Sequence, residues 1–219
     1  MSQNRRDFFI GFSLFLILFL IKLQTFNTSL FWDESVWFRG AEWISENEFY
    51  PIPPGPFDMG GLDTGHPPFT LVILSIAFII FGKSIFIAHF IMFLFSFLML
   101  YFTYKLGSYI FNETTGIIAS LLLLASPLFI AQSGLANLDI PLGALALITI
   151  YSAIKEKKLA YLISGSLLVL SKEPGILTIL SVSLYIFLIN PNGIQKRGGQ
   201  HRCQKTYKLW QGLLYRINA

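Results

Sequence analysis

The chain has 219 residues, 54% of them hydrophobic and only 13% charged. Soluble domains carry about a quarter charged residues, so this composition leaves too little polar surface to cover a soluble fold. The net charge of +4 does not mark a nucleic-acid binder, because the Lys and Arg residues stand in short groups between apolar runs, the pattern of the cytoplasmic side of a membrane protein.

The first apolar run, residues 8–31, follows Arg5 and Arg6. No small-x-small cleavage pattern comes after it, only Thr25, Phe26, Asn27, Thr28 and Ser29, so it reads as a retained signal anchor with a cytoplasmic N-terminus. Lys22 is expected to snorkel toward the outer surface. The loop that follows, residues 31–66, holds Asp33, Glu34, Glu42, Glu46, Glu48, Asp58 and Asp63 against the single base Arg39. Val36, Trp37, Gly40, Ala41 and Ile44 have the spacing of a short amphipathic helix lying on the membrane. Pro51, Pro53, Pro54, Pro56, Gly60 and Gly61 then forbid regular structure until His66.

Further apolar runs cover residues 67–81, 85–106, 116–135, 140–154, 159–170 and 175–189. Several are shorter than the roughly 20 residues of a spanning helix, and charge decides where length does not. If every run crosses, Lys105 and the Lys155–Lys158 cluster face outside and Asp139 faces inside. If 67–81 lies in the interface, every basic group falls inside, while the acidic loop, Asp139 and the turn Ser171-Lys172-Glu173-Pro174 fall outside. The second arrangement is expected: an all-α polytopic bundle of about six spanning helices plus interfacial helices, in the cell membrane, with the acidic loop outside. After Lys158, one long kinked helix competes with two crossings. The membrane unit is expected over 1–189. The tail, 190–219, is basic: from Pro191 on it holds six Lys/Arg and no acid. It reads as a cytoplasmic tail or as the product of a lost frame or truncation. Its Cys203 is the chain's one cysteine, which excludes an internal disulfide.

Four groups could carry chemistry. Asp33-Glu34 is a carboxylate pair at a membrane edge, costly unless used or paired; it fits a catalytic base or metal ligand, and equally a helix N-cap. His66 in Gly65-His66-Pro67-Pro68 could bind a metal or phosphate, or simply precede a helix whose first turn suits proline. Asp139, before Pro141, is an ionisable group at the outer mouth between helices, or another cap. Lys172 could meet a phosphate as a point charge, or pair with Glu173 in a tight turn. His89 reads as a packed or interfacial histidine. Asn112-Glu113-Thr114 has the pattern of a glycosylation acceptor but falls inside.

Taken in order, Asp33-Glu34-x-x-Trp37, Gly40-Ala41, His66-Pro67-Pro68-Phe69, Ser126-Pro127-Leu128-Phe129, Asp139 and Lys172 resemble the N-terminal part of GT-C glycosyltransferases. The nearest groups are the dolichyl-phosphate-mannose protein mannosyltransferases and the lipid A aminoarabinose transferases. The resemblance covers residues 5–189 and implies a larger GT-C fold, with members much longer than this chain. It implies a sugar donor carried on a polyprenyl phosphate, action on the outer face, and an acceptor that is lipid, glycan or protein. It makes Asp33 the catalytic carboxylate, with Glu34 orienting the acceptor or a divalent ion. Asp139, Lys172, His66 and Arg39 become substrate-binding, with a divalent metal between Asp33 and Asp139 left open. The segment after His66-Pro67-Pro68 becomes a juxtamembrane helix, as the charge argument places it independently. The competing classes are a small transporter or scaffold whose outer acids bind cations, and an inactive remnant of the enzyme. Against transport, the chain has no internal repeat and no paired broken helices.

Overall fold

The computed structural model describes residues 3–47 and 66–189, with backbone alone for 186–189. The Pro/Gly stretch with Glu48, Asp58 and Asp63, and the basic tail with Cys203, lie outside the described residues. All regular structure among the described residues is helical. The order is α1 (Gln3–Lys22), α2 (Glu34–Glu46), α3 (Phe69–Phe81), α4 (Ile85–Ile110), α5 (Glu113–Leu124), α6 (Pro127–Gln132), α7 (Asp139–Ile154), α8 (Lys158–Ser171) and α9 (Gly175–Ile189).

Local chemistry explains where the apolar runs break. The first run does not stay helical to residue 31; the helix begins earlier and stops at Lys22. The Thr25 hydroxyl donates to the Lys22 carbonyl at 2.9 Å, and the Thr28 hydroxyl to that of Thr25 at 2.8 Å. These bonds give the carbonyls an alternative to the helix ladder, and the turn drops Phe26 into the core. The expected single run 116–135 is likewise two helices. Pro127 lacks an N–H and suits a first helical turn, while the Ser126 hydroxyl accepts from the Phe129 N–H at 3.4 Å. Asn112 caps α5 by accepting from the Thr115 N–H at 2.8 Å. After Lys158 the chain forms a helical hairpin and not one kinked helix. Tyr161 and Ser183 hydroxyls meet at 3.3 Å, and Gly165 faces Ile179.

Pairs of distant residues fix which helix ends lie together. Asp7, near the start of α1, accepts from Tyr104 at 2.7 Å and Lys105 at 2.5 Å near the end of α4. Arg6 meets Glu113 at the start of α5 at 3.3 Å, and Lys155, just past α7, lies 3.6 Å over the Tyr109 ring. At the opposite end, Lys22 donates to the Ile130 carbonyl at 3.1 Å and Lys172 to Asp139 at 2.6 Å. So α1, α4, α5–α6, α7, α8 and α9 run alternately between an Asp7 end and an Asp33 end. Helices α2 and α3 stay at the Asp33 end. There α3 packs along α2, with the Ser75 hydroxyl on the Ala41 carbonyl at 2.8 Å and the Phe38 and Phe78 rings 4.9 Å apart. Lys83, just past α3, pairs with Glu42 at 3.6 Å and with Glu46. Helix α3 therefore does not carry the chain to the Asp7 end, and α4 begins where α1 finished.

Among the described residues, α4 alone is both long and apolar enough by itself to cross a bilayer; its 26 residues span about 39 Å. It is also the packing axis. Phe15 and Phe19 of α1, with Phe26, set their rings against Phe93 of α4 at 5.3, 5.9 and 5.5 Å, geometries that add about 0.5–1.5 kcal/mol per pair beyond buried area. On its other side α4 meets α5 backbone to backbone. A Cβ on Gly107 would lie 2.9 Å from the Gly116 Cα, the close approach that small residues allow between membrane helices. The outward faces remain apolar, with Phe8, Phe12, Leu122, Leu162 and Leu177 all exposed, as suits a lipid surround and not water.

Candidate active site

The link from α1 to α2 reaches its two carboxylates through a strained turn. Trp32 holds φ 46°, a left-handed conformation that costs an L-residue about 1–2 kcal/mol. Such outliers gather at functional sites. Phe31 and Trp32 are 67% and 79% exposed, an aromatic pair of the kind that seats a protein at the membrane–water boundary. Asp33 follows, exposed, at the N-cap position of α2. Its carbonyl accepts from the Val36 and Trp37 N–H groups at 2.9 and 3.2 Å, but its side chain makes no capping hydrogen bond. The capping role open to Asp33 from its position is thus performed by its backbone alone, and the carboxylate faces outward.

Glu34 is placed in the opposite way. It is fully buried. One oxygen takes the Ala136 N–H at 2.6 Å and lies 3.0 Å from His89 Nε2; the other takes the Phe31 N–H at 2.7 Å. His89 is buried too, and its Nδ1 lies 3.0 Å from the Phe26 carbonyl. A neutral imidazole donates from one nitrogen and accepts at the other, yet here both nitrogens face oxygens. Both contacts are hydrogen bonds only if the ring is an imidazolium or if Glu34 keeps its own proton. Burial raises the Glu34 carboxyl pKa, but the bonds from His89, Ala136 and Phe31 outweigh it and hold the carboxyl below its usual range. Gly134, at φ 103°, makes the turn that aims the Ala136 N–H at Glu34. Lys22 lies close enough for its charge to interact with Glu34. Lys22 does not snorkel outward: it is buried, with its ammonium on the Ile130 carbonyl. The break between α6 and α7 leaves that carbonyl without a helical N–H, and it accepts from the Ser133 hydroxyl at 3.0 Å as well as from the ammonium.

The remaining candidates close into a ring one turn along α2 from Asp33. Trp37 packs with Ile44, Leu71 and Leu138, and its ring lies 5.7 Å from that of His66. His66 Nδ1 is 2.9 Å from both oxygens of Glu173. Next to Glu173, Lys172 reaches Asp139, and Asp139 follows Leu138, back against Trp37. Lys172 and Glu173 do not pair with each other across their turn; each binds a different element. Nor does Asp139 act as a helix cap, since Leu138 holds that position of α7 without a side-chain cap bond. The backbone N–H of Glu173 and then His66 hold its carboxyl below the ordinary range. Arg39 is exposed, its Nε–H on the Ser35 carbonyl at 3.1 Å. Among the described residues no three His, Cys, Asp or Glu side chains converge as a metal cage would require. His89 and Glu173 are the site residues that sequence reasoning passed over. An ionisable residue inside an apolar run is a functional candidate by default, and that signal pointed at His89.

A family model for dolichyl-phosphate-mannose-protein mannosyltransferases matches residues 65–201, more than half of the chain. The chain belongs to this family. The match includes His66, Asp139, Lys172 and Glu173, and begins after Asp33 and Glu34. It supports a membrane glycosyltransferase of GT-C type at the level of the family. No curated protein and no solved structure matches the chain.

Proposed function

We propose that this chain moves a sugar from a polyprenyl phosphate to an acceptor at the outer face of a membrane. The observation that carries the reading is the ring from Trp37 through His66, Glu173, Lys172 and Asp139, which gathers charged groups at the same end of an apolar bundle as Asp33. Outside the cell a soluble nucleotide sugar is not at hand, so a lipid phosphate is the sensible leaving group. In the transfer, the acceptor oxygen bonds to the anomeric carbon as the bond from that carbon to the phosphate oxygen breaks. Asp33 takes the acceptor's proton. Lys172, held in place by Asp139, offsets the charge left on the departing phosphate, and His66 and Arg39 line the approach. The exposed Phe31 and Trp32 set Asp33 at the depth where a lipid-borne donor presents its headgroup. A divalent ion shared by Asp33 and Asp139 would have to displace Lys172 from Asp139, and no step is assigned to it.

Transfer of radiolabelled mannose from dolichyl-phosphate-mannose to a membrane acceptor fraction by the purified chain tests the reading. Because the ammonium acts on charge that develops in the transition state, Lys172→Ala is expected to lower kcat by about 10²–10³-fold. Transfer by Lys172→Ala equal to wild type would remove Lys172 from the mechanism.

The same reading sets the alternating helices across the bilayer about six times, with α2 and α3 in the outer interface. Single cysteines at Ser29 and Lys83, in a chain carrying Cys203→Ser, should both react with an impermeant maleimide from the outer side of intact cells. Labelling of the Lys83 position only after the membrane is opened would reject this placement.

A further inference from the structure

We propose that His89 is the positioning residue for the loop that presents Asp33, because one buried imidazole fastens that loop at both of its ends. Its Nδ1 bonds the Phe26 carbonyl, where the chain has just left α1, and its Nε2 bonds Glu34, where the chain enters α2. Between these two bonds lie the strained Trp32 and Asp33, and the Phe31 N–H returns to the same Glu34 carboxylate, so His89 ties both ends of the segment to α4. His89 itself sits in the second turn of α4, the longest helix and the packing axis of the bundle. Its ring is therefore fixed by a rigid element, whereas the loop is tied mostly to itself, through the Thr25, Phe31 and Trp32 carbonyls, while Phe31 and Trp32 project outward.

The geometry requires an imidazole. The Phe26 carbonyl and the Glu34 carboxyl lie on opposite sides of one flat ring, at 3.0 Å each, so both ring nitrogens are engaged in a fixed relation. A glutamine amide can serve the carbonyl or the carboxylate, and an aliphatic side chain serves neither. The consequence for activity rests on Asp33 being the base, as proposed above; the consequence for loop position does not. A base misplaced by about 1 Å can cost about 10²-fold in rate.

The test uses the full chain in lipid nanodiscs with Cys203→Ser. Spin labels at Asp33→Cys and Leu128→Cys report the loop against an exposed site on α6, and pulsed electron resonance gives the distance distribution. With His89 intact a single narrow population is expected. His89→Leu should add a second population or broaden the first. His89→Gln should do the same while disturbing the bundle less, and it carries the test if His89→Leu does not fold. A native distribution in His89→Gln, or in a folded His89→Leu, overturns the proposal. Separately, in chains retaining Asp33, His89→Gln should lower kcat for mannose transfer by about 10²-fold with the donor KM unchanged; a raised KM with normal kcat would also overturn it. Loop broadening without transfer by the wild type would leave the positioning claim standing and reject the enzymatic reading instead.

Discussion

Asp33→Asn should lower sugar transfer by about 10²–10⁴-fold, the usual worth of a general base, while leaving the fold intact. The change keeps the size of the side chain and removes only its ability to accept a proton. Asp33 is exposed and its carboxylate forms no capping bond, so no native contact of the helix start is lost. The backbone carbonyl of Asp33, which does start α2 by taking the Val36 and Trp37 N–H groups, is untouched. Asn is also among the preferred N-cap residues, so the variant can gain a cap bond and lose none. Thermal unfolding in detergent should therefore match the wild type, and transfer from dolichyl-phosphate-mannose at matched expression should not. Near-normal transfer would leave Asp33 as an aromatic-flanked loop residue with no part in proton removal.

The contrast between Asp33 and Glu34 shows what the sequence could and could not disclose. Apolar runs separated by charge groups were enough to anticipate an all-helical chain and the shared end of Asp139 and Lys172. They could not place the helix ends, because those depend on single hydroxyls such as Thr25 and Ser126 competing for backbone carbonyls. Two adjacent carboxylates look alike in sequence. Only the fold separates them: one turn of α2 points Asp33 outward and Glu34 into a space closed by α4 and the α6–α7 turn. The pairing of His66 with Glu173 spans 107 positions, and no local pattern encodes it. The left-handed Trp32 is equally silent, since nothing about a tryptophan announces positive φ. Lys22 misled for a physical reason. Snorkelling assumes that the nearest polar partner is the headgroup region, and here the broken turn after Gln132 supplies a nearer one inside the protein.

Glu34→Ala should destabilise the chain by about 2–6 kcal/mol, since it strands two buried groups, the Ala136 N–H and the His89 ring, at about 1–3 kcal/mol each. Three donors lose their acceptor at once: the Phe31 and Ala136 N–H groups and His89 Nε2. The Ala136 N–H and His89 Nε2 are buried and cannot turn to water, and each stranded buried donor is costly; the Phe31 N–H belongs to an exposed residue and can. Glu34→Gln keeps the volume and one acceptor oxygen, so its loss should be smaller than that of Glu34→Ala. The pH dependence follows from the direction of the shift. Glu34 is held below its ordinary value of 4.5, so its contribution is fully present above that pH and is lost as the pH falls through the lower, folded-state value. Denaturation of the wild type by graded sodium dodecyl sulfate, followed by helical circular dichroism from pH 7 down to about pH 2, should show stability falling below the ordinary carboxyl value. In Glu34→Ala the same titration should lose this component of the acid slope. A wild type no more stable than Glu34→Ala at neutral pH would show that the three donors find other partners, and that Glu34 does not hold the loop to the bundle.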